Sequence, residues 1–204
     1  MYNISIAGIN VDIHKGPLSI LHSGGADSAI LLYILMMNVK ETITVITCAN
    51  KLKGRINPKI ATNVISKCID LTNNSNIIHS TFFVEEQTFN SLFGNVNKYF
   101  QSKQIIYTGA TAFPPDTALS TFKNTTEIYS KRDPNKVREL YNGRFYAPFF
   151  NHNKKHIYNL YADLNLLDEL YPITRSCEDL ELREGHCGKC WWCEERQWAF
   201  GHLQ

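Results

Sequence analysis

No apolar run in this chain of 204 residues is long enough to span a membrane, so a membrane helix is not expected. Neither sign of charge dominates: 21 Lys and Arg against 19 Asp and Glu leave a formal net charge of +2, too little to argue for nucleic acid as a partner. Internal repeats, low-complexity tracts and an obvious interdomain linker are all missing, so a repeat architecture is not expected. A signal peptide is also missing, and four of the six cysteines crowd into one short segment, so a disulfide framework is not expected and a cytoplasmic location is. The length suits one α/β domain with a small appendage, and a 44% hydrophobic content suffices for a full core.

What is present is concentrated at two places. The first is Leu18-Ser19-Ile20-Leu21-His22-Ser23-Gly24-Gly25-Ala26-Asp27-Ser28, followed by the apolar stretch Ala29 to Met37. It reads as a buried strand, a glycine-rich turn and a helix, the order that presents free backbone N–H groups and a positive helix end to a phosphate. Gly24 and Gly25 let the backbone approach an anion closely, and the Ser23 and Ser28 hydroxyls add donors. Asp27 stands just inside the helix start, where the dipole favours a carboxylate and Mg²⁺ could be held. No Gly-Lys-Ser/Thr ends the loop, so it is not a Walker A sequence.

The second is Cys177 followed by Cys187, Cys190 and Cys193 in the run Cys-Gly-Lys-Cys-Trp-Trp-Cys. Four thiolates at this spacing match a closed tetrahedral Zn²⁺ site, with Gly188 allowing the tight knuckle. An iron–sulfur cluster is the rival, because it takes the same four ligands, and His186 or His202 could replace one thiolate. Cys48 and Cys68 fall outside this group and read as buried core residues.

Between these landmarks, strand and helix patterns alternate. Ile4 to Ile6 and Ile9 to Ile13 suggest an edge strand or hairpin around Gly8. Thr42 to Thr47 is a β-branched strand, Ile60 to Ile69 a helix, Ile77 to Val84 a strand, Leu92 to Phe100 a helix and Gln104 to Thr108 a strand ending at Gly109. From Ala112 to Thr126, with Pro114-Pro115, the expectation is a loop, with a short helix at its end as an option, and a helix runs through Ile157, Leu160 and Leu164. The fold class is therefore α/β: a Rossmann-like parallel sheet with helices on both faces, whose ligands sit at the strand carboxyl ends, where both the Ser-Gly-Gly loop and Gly109 fall. The expected division is an α/β domain over 1–172 and a cysteine-rich segment over 173–204.

The Ser-Gly-Gly-x-Asp-Ser run resembles the signature of the PP-loop ATP pyrophosphatases, matching at every fixed position. The last third narrows the resemblance. Pro148, Lys154 opening a helix, the turn Thr174-Arg175-Ser176-Cys177, Cys187-Gly188-x-Cys190-x-x-Cys193 and then Arg196 and Ala199-Phe200 are similar in order to the 7-cyano-7-deazaguanine synthase branch of queuosine biosynthesis. The likeness covers Leu18 to Ile46 and Tyr107 to Phe200. It implies an adenine nucleotide alpha hydrolase-like fold and an ATP-dependent C–N ligase that converts 7-carboxy-7-deazaguanine and ammonia to the nitrile. It further implies that Ser23, Gly24, Gly25, Asp27, Ser28 and Gly109 hold ATP and Mg²⁺, that Lys154, or Lys155 one place on, neutralises phosphate charge, and that zinc on the four cysteines holds the carboxyl-terminal segment. Asp27, Ser28 and Lys154 are thus the expected catalytic residues.

This chain departs from the branch in its acceptor loops. Cys48-Ala49-Asn50-Lys51 replaces an acidic-aromatic-glycine segment, Leu92-Phe93-Gly94-Asn95-Val96-Asn97 lacks a proline and an arginine, and Ala110 to Asp116 replaces acidic and aromatic residues that read the base. Phe113 could stack on a base and Asp116 accept from its edge, or both could be ordinary loop residues. Three alternatives stay open: activation of another carboxylate, tRNA thiolation using Cys48, or a zinc-stabilised module binding RNA phosphates through Lys51, Lys53 and Arg55 or Lys131 and Arg132. Oligomeric state is not given by the sequence, a homodimer being one option.

Overall fold

The computed structural model describes residues 1–50, 58–84, 96, 105–115, 144–177, 179 and 184–203. Its centre is a five-stranded sheet of β3 (Leu18–Leu21), β4 (Ile43–Asn50), β5 (Ile77–Val84), β6 (Ile106–Thr108) and β7 (Phe145–Tyr146). The spatial order is β5-β4-β3-β6-β7 and every pairing is parallel. From β3 the chain steps outward to β4 and β5, then returns to β3's other side to lay down β6 and β7. The order therefore reverses between β3 and β6, and the carboxyl ends of those two strands diverge into the crevice that such a reversal creates.

Both faces of the sheet are covered, which is why β3 is buried at all four positions, with Ser19 the one polar residue among them. Side chains alternate along the strands: Leu18, Ile20, Ile43, Val45 and Tyr107 join one core, and Leu21, Ile46, Cys48, Ile106 and Phe145 join the other, where Val96 packs. On the first face lie α1 (Ala26–Asn38), α2 (Pro58–Thr72) and α3 (Lys154–Asp163). Helix α1 is apolar on nearly every side, as a helix enclosed by protein must be. Its enclosure includes Ile9, Val11 and Ile13 of β2 (Ile9–Ile13), which pairs antiparallel with β1 (Tyr2–Ile6) in a separate two-stranded sheet. Positive φ at Ala7 and Gly8 makes their turn the type that suits a two-residue hairpin.

Helix α2 shows the narrower stripe of a surface helix, burying Ala61, Val64, Ile65 and Cys68. The chain ends in α4 (Trp191–Phe200), closed by Gly201 in the left-handed conformation. Phe200 stacks on Tyr171 at a centroid distance of 4.0 Å and joins the first core. No helix among the described residues is long and apolar enough to cross a membrane.

The hairpin, β3, β4, α2, β5 and α3 follow the pattern the sequence suggests. Two elements do not: β7, only two residues long, and α4, whose period is masked by the Trp-Trp-Cys run. The helix expected over Leu92 to Phe100 lies outside the described residues except for Val96, which is helical.

Candidate functional site

The loop after β3 continues the sheet for one residue, with the His22 N–H donating to the Ile46 carbonyl at 2.8 Å. It then turns sharply at Gly24, whose φ is +80°; a Cβ there would meet the Ala61 nitrogen and Ile60 Cγ2 at 3.0 Å. Both conformation and space therefore require glycine. Gly25 caps α1 without a side chain, leaving the first-turn N–H groups to point out of the helix start. The serines brace the loop from within: Ser28 Oγ donates to the Gly25 carbonyl at 3.1 Å and lies 3.3 Å from Ser23 Oγ, which accepts from the Gly25 N–H at 3.3 Å.

Gly109 follows β6 and lies against the same helix start. A Cβ at Gly109 would come within 2.8 Å of the Ser28 nitrogen and 2.9 Å of the Asp27 carbonyl carbon. The end of β6 thus packs backbone to backbone on the first turn of α1. A third segment closes in from the carboxyl-terminal side, where the Arg175 N–H donates to the Gly24 carbonyl at 2.9 Å and Ser176 Oγ lies 3.5 Å from where a Gly25 Cβ would be.

Lys154 reaches this point from 127 residues away. It is the first residue of α3, capped by Asn153, which accepts from the Lys155 N–H at 3.1 Å and exchanges a second contact with His156. Its ammonium donates to Asp27 Oδ2 and lies 3.7 Å from Glu195 Oε2 on α4. Lys154 and Glu195 are buried, with side-chain exposures of 3% and 0%, while Asp27 keeps 19%, so the trio opens to solvent on the Asp27 side. The buried Asp27 Oδ1 has no hydrogen-bond partner among the described residues. An unpartnered carboxylate oxygen beside a positive helix end is the donor a hard divalent cation takes, so the residues present fit Mg²⁺.

The structure therefore brings Ser23, Gly24, Gly25, Asp27, Ser28, Gly109 and Lys154 together. Lys155 points elsewhere, exposed, with its ammonium 4.8 Å from the centre of the Trp198 ring. Beneath the loop, His22 is completely buried, and desolvation lowers its pKa to about 4, so the imidazole is neutral. Its carbonyl accepts from Thr47 Oγ1, which in turn lies 2.9 Å from His79 Nε2.

The four cysteines form a second cluster. Their sulfurs all lie within 4.8 Å of one another, with Cys187 to Cys193 at 3.9 Å and Cys177 to Cys190 at 4.0 Å. Four sulfurs bound about 2.3 Å from a central ion stand about 3.8 Å apart at the corners of a tetrahedron, so the set fits zinc. Backbone N–H groups of Cys187 and Cys190 donate to Cys177 Sγ and Cys187 Sγ at 3.4 and 3.3 Å, the arrangement that stabilises thiolates in a knuckle. His186 Nδ1 stands 4.0 Å from Cys193 Sγ but outside the four-sulfur group, and His202 packs edge-on to Tyr171.

Arg196 ties α4 to the segment that leads into the cluster. It is 1% exposed, its guanidinium lies 3.9 Å from the Tyr171 ring centre, and it donates to the carbonyls of Leu203 and Tyr171 and to Thr174 Oγ1 at 2.8 to 3.0 Å. Its role is thereby structural. Phe113 packs with Trp191, Trp192 and Trp198 in a small aromatic cluster at the start of α4. Cys48 and Cys68 are buried, and desolvation pushes their thiols up to about 11 and about 12. Asp116, Lys51, Lys53, Arg55, Lys131 and Arg132 lie outside the described residues.

Sequence reasoning passed over Glu195 as a site residue. It sits in a charged run, Glu194-Glu195-Arg196, that reads as solvated, and only its spacing of four from Trp191 hinted at the buried face. Ser176 was legible as part of a turn motif but not as a neighbour of Gly25.

No curated protein matches the chain. Among solved structures, NMN synthetase from Francisella tularensis is similar at 14% identity with a TM-score of 0.40, over 75% of this chain. The chain spans 63% of that protein's length. The family described as queuosine biosynthesis protein QueC matches residues 99–204, just over half of the chain and including Lys154 and all four clustered cysteines. With more than half its length matched, from ahead of β6 through α4, the chain belongs to the QueC family.

Proposed function

We propose that the protein is an ATP-dependent ligase that activates 7-carboxy-7-deazaguanine as an acyl adenylate, aminates it with ammonia and dehydrates the amide to 7-cyano-7-deazaguanine. The observation that carries this reading is the contact between Lys154 and Asp27 beside the Ser23–Ser28 loop, at the crevice where the strand order reverses. In the first step a carboxylate oxygen of the acceptor attacks the α-phosphorus and pyrophosphate leaves. Ammonia then displaces AMP to give the amide. A second ATP takes up the amide oxygen, and its departure with AMP, with loss of both N–H protons, gives the nitrile.

In each activation, negative charge grows on the departing pyrophosphate. The α1 N–H groups and the Ser23 and Ser28 hydroxyls would bind it, and Lys154 would balance the charge. Asp27 Oδ1 would hold Mg²⁺, which supplies electrostatic stabilisation of the same leaving group. Gly24 and Gly109 let the loop pack closely on α2 and the end of β6 on the first turn of α1, which fixes the loop's shape. The four cysteines would hold zinc as a structural ion, and we read residues 173–204 as the unit it closes.

Burial of Cys48 argues against thiolation, because a thiol pushed up to about 11 is scarcely ionised near neutral pH. Mass spectrometry of the protein with Mg-ATP, ammonium and 7-carboxy-7-deazaguanine, following AMP and the deazaguanine products together, tests the reading. Amide or nitrile formed with AMP supports it; zinc-loaded protein that binds ATP and forms neither overturns the acceptor assignment. Asp27→Asn should lower pyrophosphate release more than about 100-fold, as loss of a metal-holding carboxylate does, and full activity would remove Asp27 from its role. A thiolating enzyme would lose turnover with Cys48→Ser, whereas this protein should not.

A further inference from the structure

We propose that Glu195 is a positioning residue for Lys154, holding its ammonium from the protein side so that the lysine stays in place when Asp27 turns to the incoming nucleotide; this rests on the reading of the loop as an ATP site. Glu195 is fully buried on α4, and a carboxylate at such a position is costly unless a cation answers it. Lys154 Nζ lies 3.7 Å away. Asp27 approaches the same ammonium from α1, on the more open side.

Of the two carboxylates on this ammonium, Asp27 is the more exposed and lies in the loop itself, whereas Glu195 is shut off from solvent, so Asp27 is the partner that an incoming nucleotide would exchange. Once Asp27 engages a divalent cation and Lys154 a phosphate oxygen, the ammonium keeps Glu195 as its fixed partner. Without it, the lysine stem would have to be ordered afresh at each binding event.

The support on which Glu195 stands is stiff. One residue on, Arg196 is anchored to Thr174, Tyr171 and Leu203, and α4 is preceded by Cys190 at its N-cap, with Cys193 in its first turn. The four-cysteine cluster therefore reaches the nucleotide loop through a helix whose buried carboxylate meets Lys154. Nothing in the sequence pattern of the resemblance assigns Glu195 a role.

The experiment is a double-mutant cycle on Mg-ATP affinity by isothermal titration, with zinc content and melting temperature recorded for each full-length, metal-loaded protein. Glu195→Gln should weaken Mg-ATP binding about tenfold, the scale of reordering one lysine side chain, and should cause no further loss once Lys154→Met is present. An equal loss in both backgrounds would make Glu195 a general structural residue, tighter binding in both would mean simple charge repulsion, and an unchanged affinity would remove the link; each overturns the proposal. If Glu195→Gln loses zinc or unfolds, Glu195→Leu fills the buried volume without charge and should show the same coupled loss. Native protein that does not bind Mg-ATP would instead overturn the ATP-site reading on which the proposal stands, a result visible before any variant is made.

Discussion

Adding one methyl group at Gly109 tests whether the end of β6 really meets the start of α1. The new Cβ would lie 2.8 Å from the Ser28 nitrogen, 2.9 Å from the Asp27 carbonyl carbon and 3.0 Å from Ser28 Cα. All three are backbone atoms of the first turn of α1, so no side chain can rotate away. Relief to an ordinary carbon contact requires β6 and α1 to part by about 0.6–0.7 Å. Overpacking of this kind costs about 1–3 kcal/mol, against a gain of about 0.4–1 kcal/mol from stiffening the unfolded chain. Gly109→Ala should therefore be destabilised by about 1–2 kcal/mol, read as a lower urea midpoint at an unchanged slope. Because the displaced atoms carry Asp27 and Ser28, kcat/KM for ATP should also fall about tenfold, in keeping with the steep dependence of rate on sub-ångström placement. A variant as stable as the native protein, with unimpaired nucleotide use, would refute the packing argument.

Elemental analysis should find one zinc per chain, and Cys190→Ser should lose it together with binding free energy on the order of 10 kcal/mol; iron with visible absorbance would overturn the assignment. Arg196→Met strips partners from Thr174 and from two carbonyls, and should lower unfolding free energy by about 2–4 kcal/mol, whereas a change under about 0.5 kcal/mol would mean the guanidinium is dispensable. His22 makes stability depend on pH. Its folded pKa of about 4 lies below the unfolded value of 6.5, so the unfolded chain binds the proton first and stability falls as pH drops from about 6.5 toward 4, by roughly 3 kcal/mol in all. Urea midpoints at pH 7 and pH 5, compared with His22→Leu to cancel acid effects at the cysteines, should show the extra loss only in the native protein.

Much of this was legible in the order of residues, for physical reasons that differ from element to element. Strands β3 to β5 announce themselves because Ile, Val and Thr line a sheet covered on both faces. The four cysteines announce themselves because thiolate spacing is dictated by a single ion. The chain's local pattern says nothing of β7, since two residues carry no period, and little of α4, where aromatic and cysteine side chains replace the usual stripe. Gly109 marks a strand end in sequence, but its need to be glycine arises only from the backbone of Asp27 and Ser28, far back in the chain. Glu195 and His22 are polar residues whose burial depends wholly on what packs over them.

The position of β3 at the middle of the sheet also has a consequence for how the molecule is made. On one side it pairs with β4, close in sequence; on the other it pairs with β6, whose register sets Ser19 beside Ile106. A chain emerging amino-terminus first can close β3, β4 and β5 through local crossovers while β6 is still unsynthesised. During that interval β3 is an edge strand, apolar at three of its four positions and open to pairing with another chain. The strands that later seal it are three and two residues long, so they are poor templates on their own and must dock onto an edge already in place. The crevice between β3 and β6 is thus the last part of the sheet to acquire its second wall.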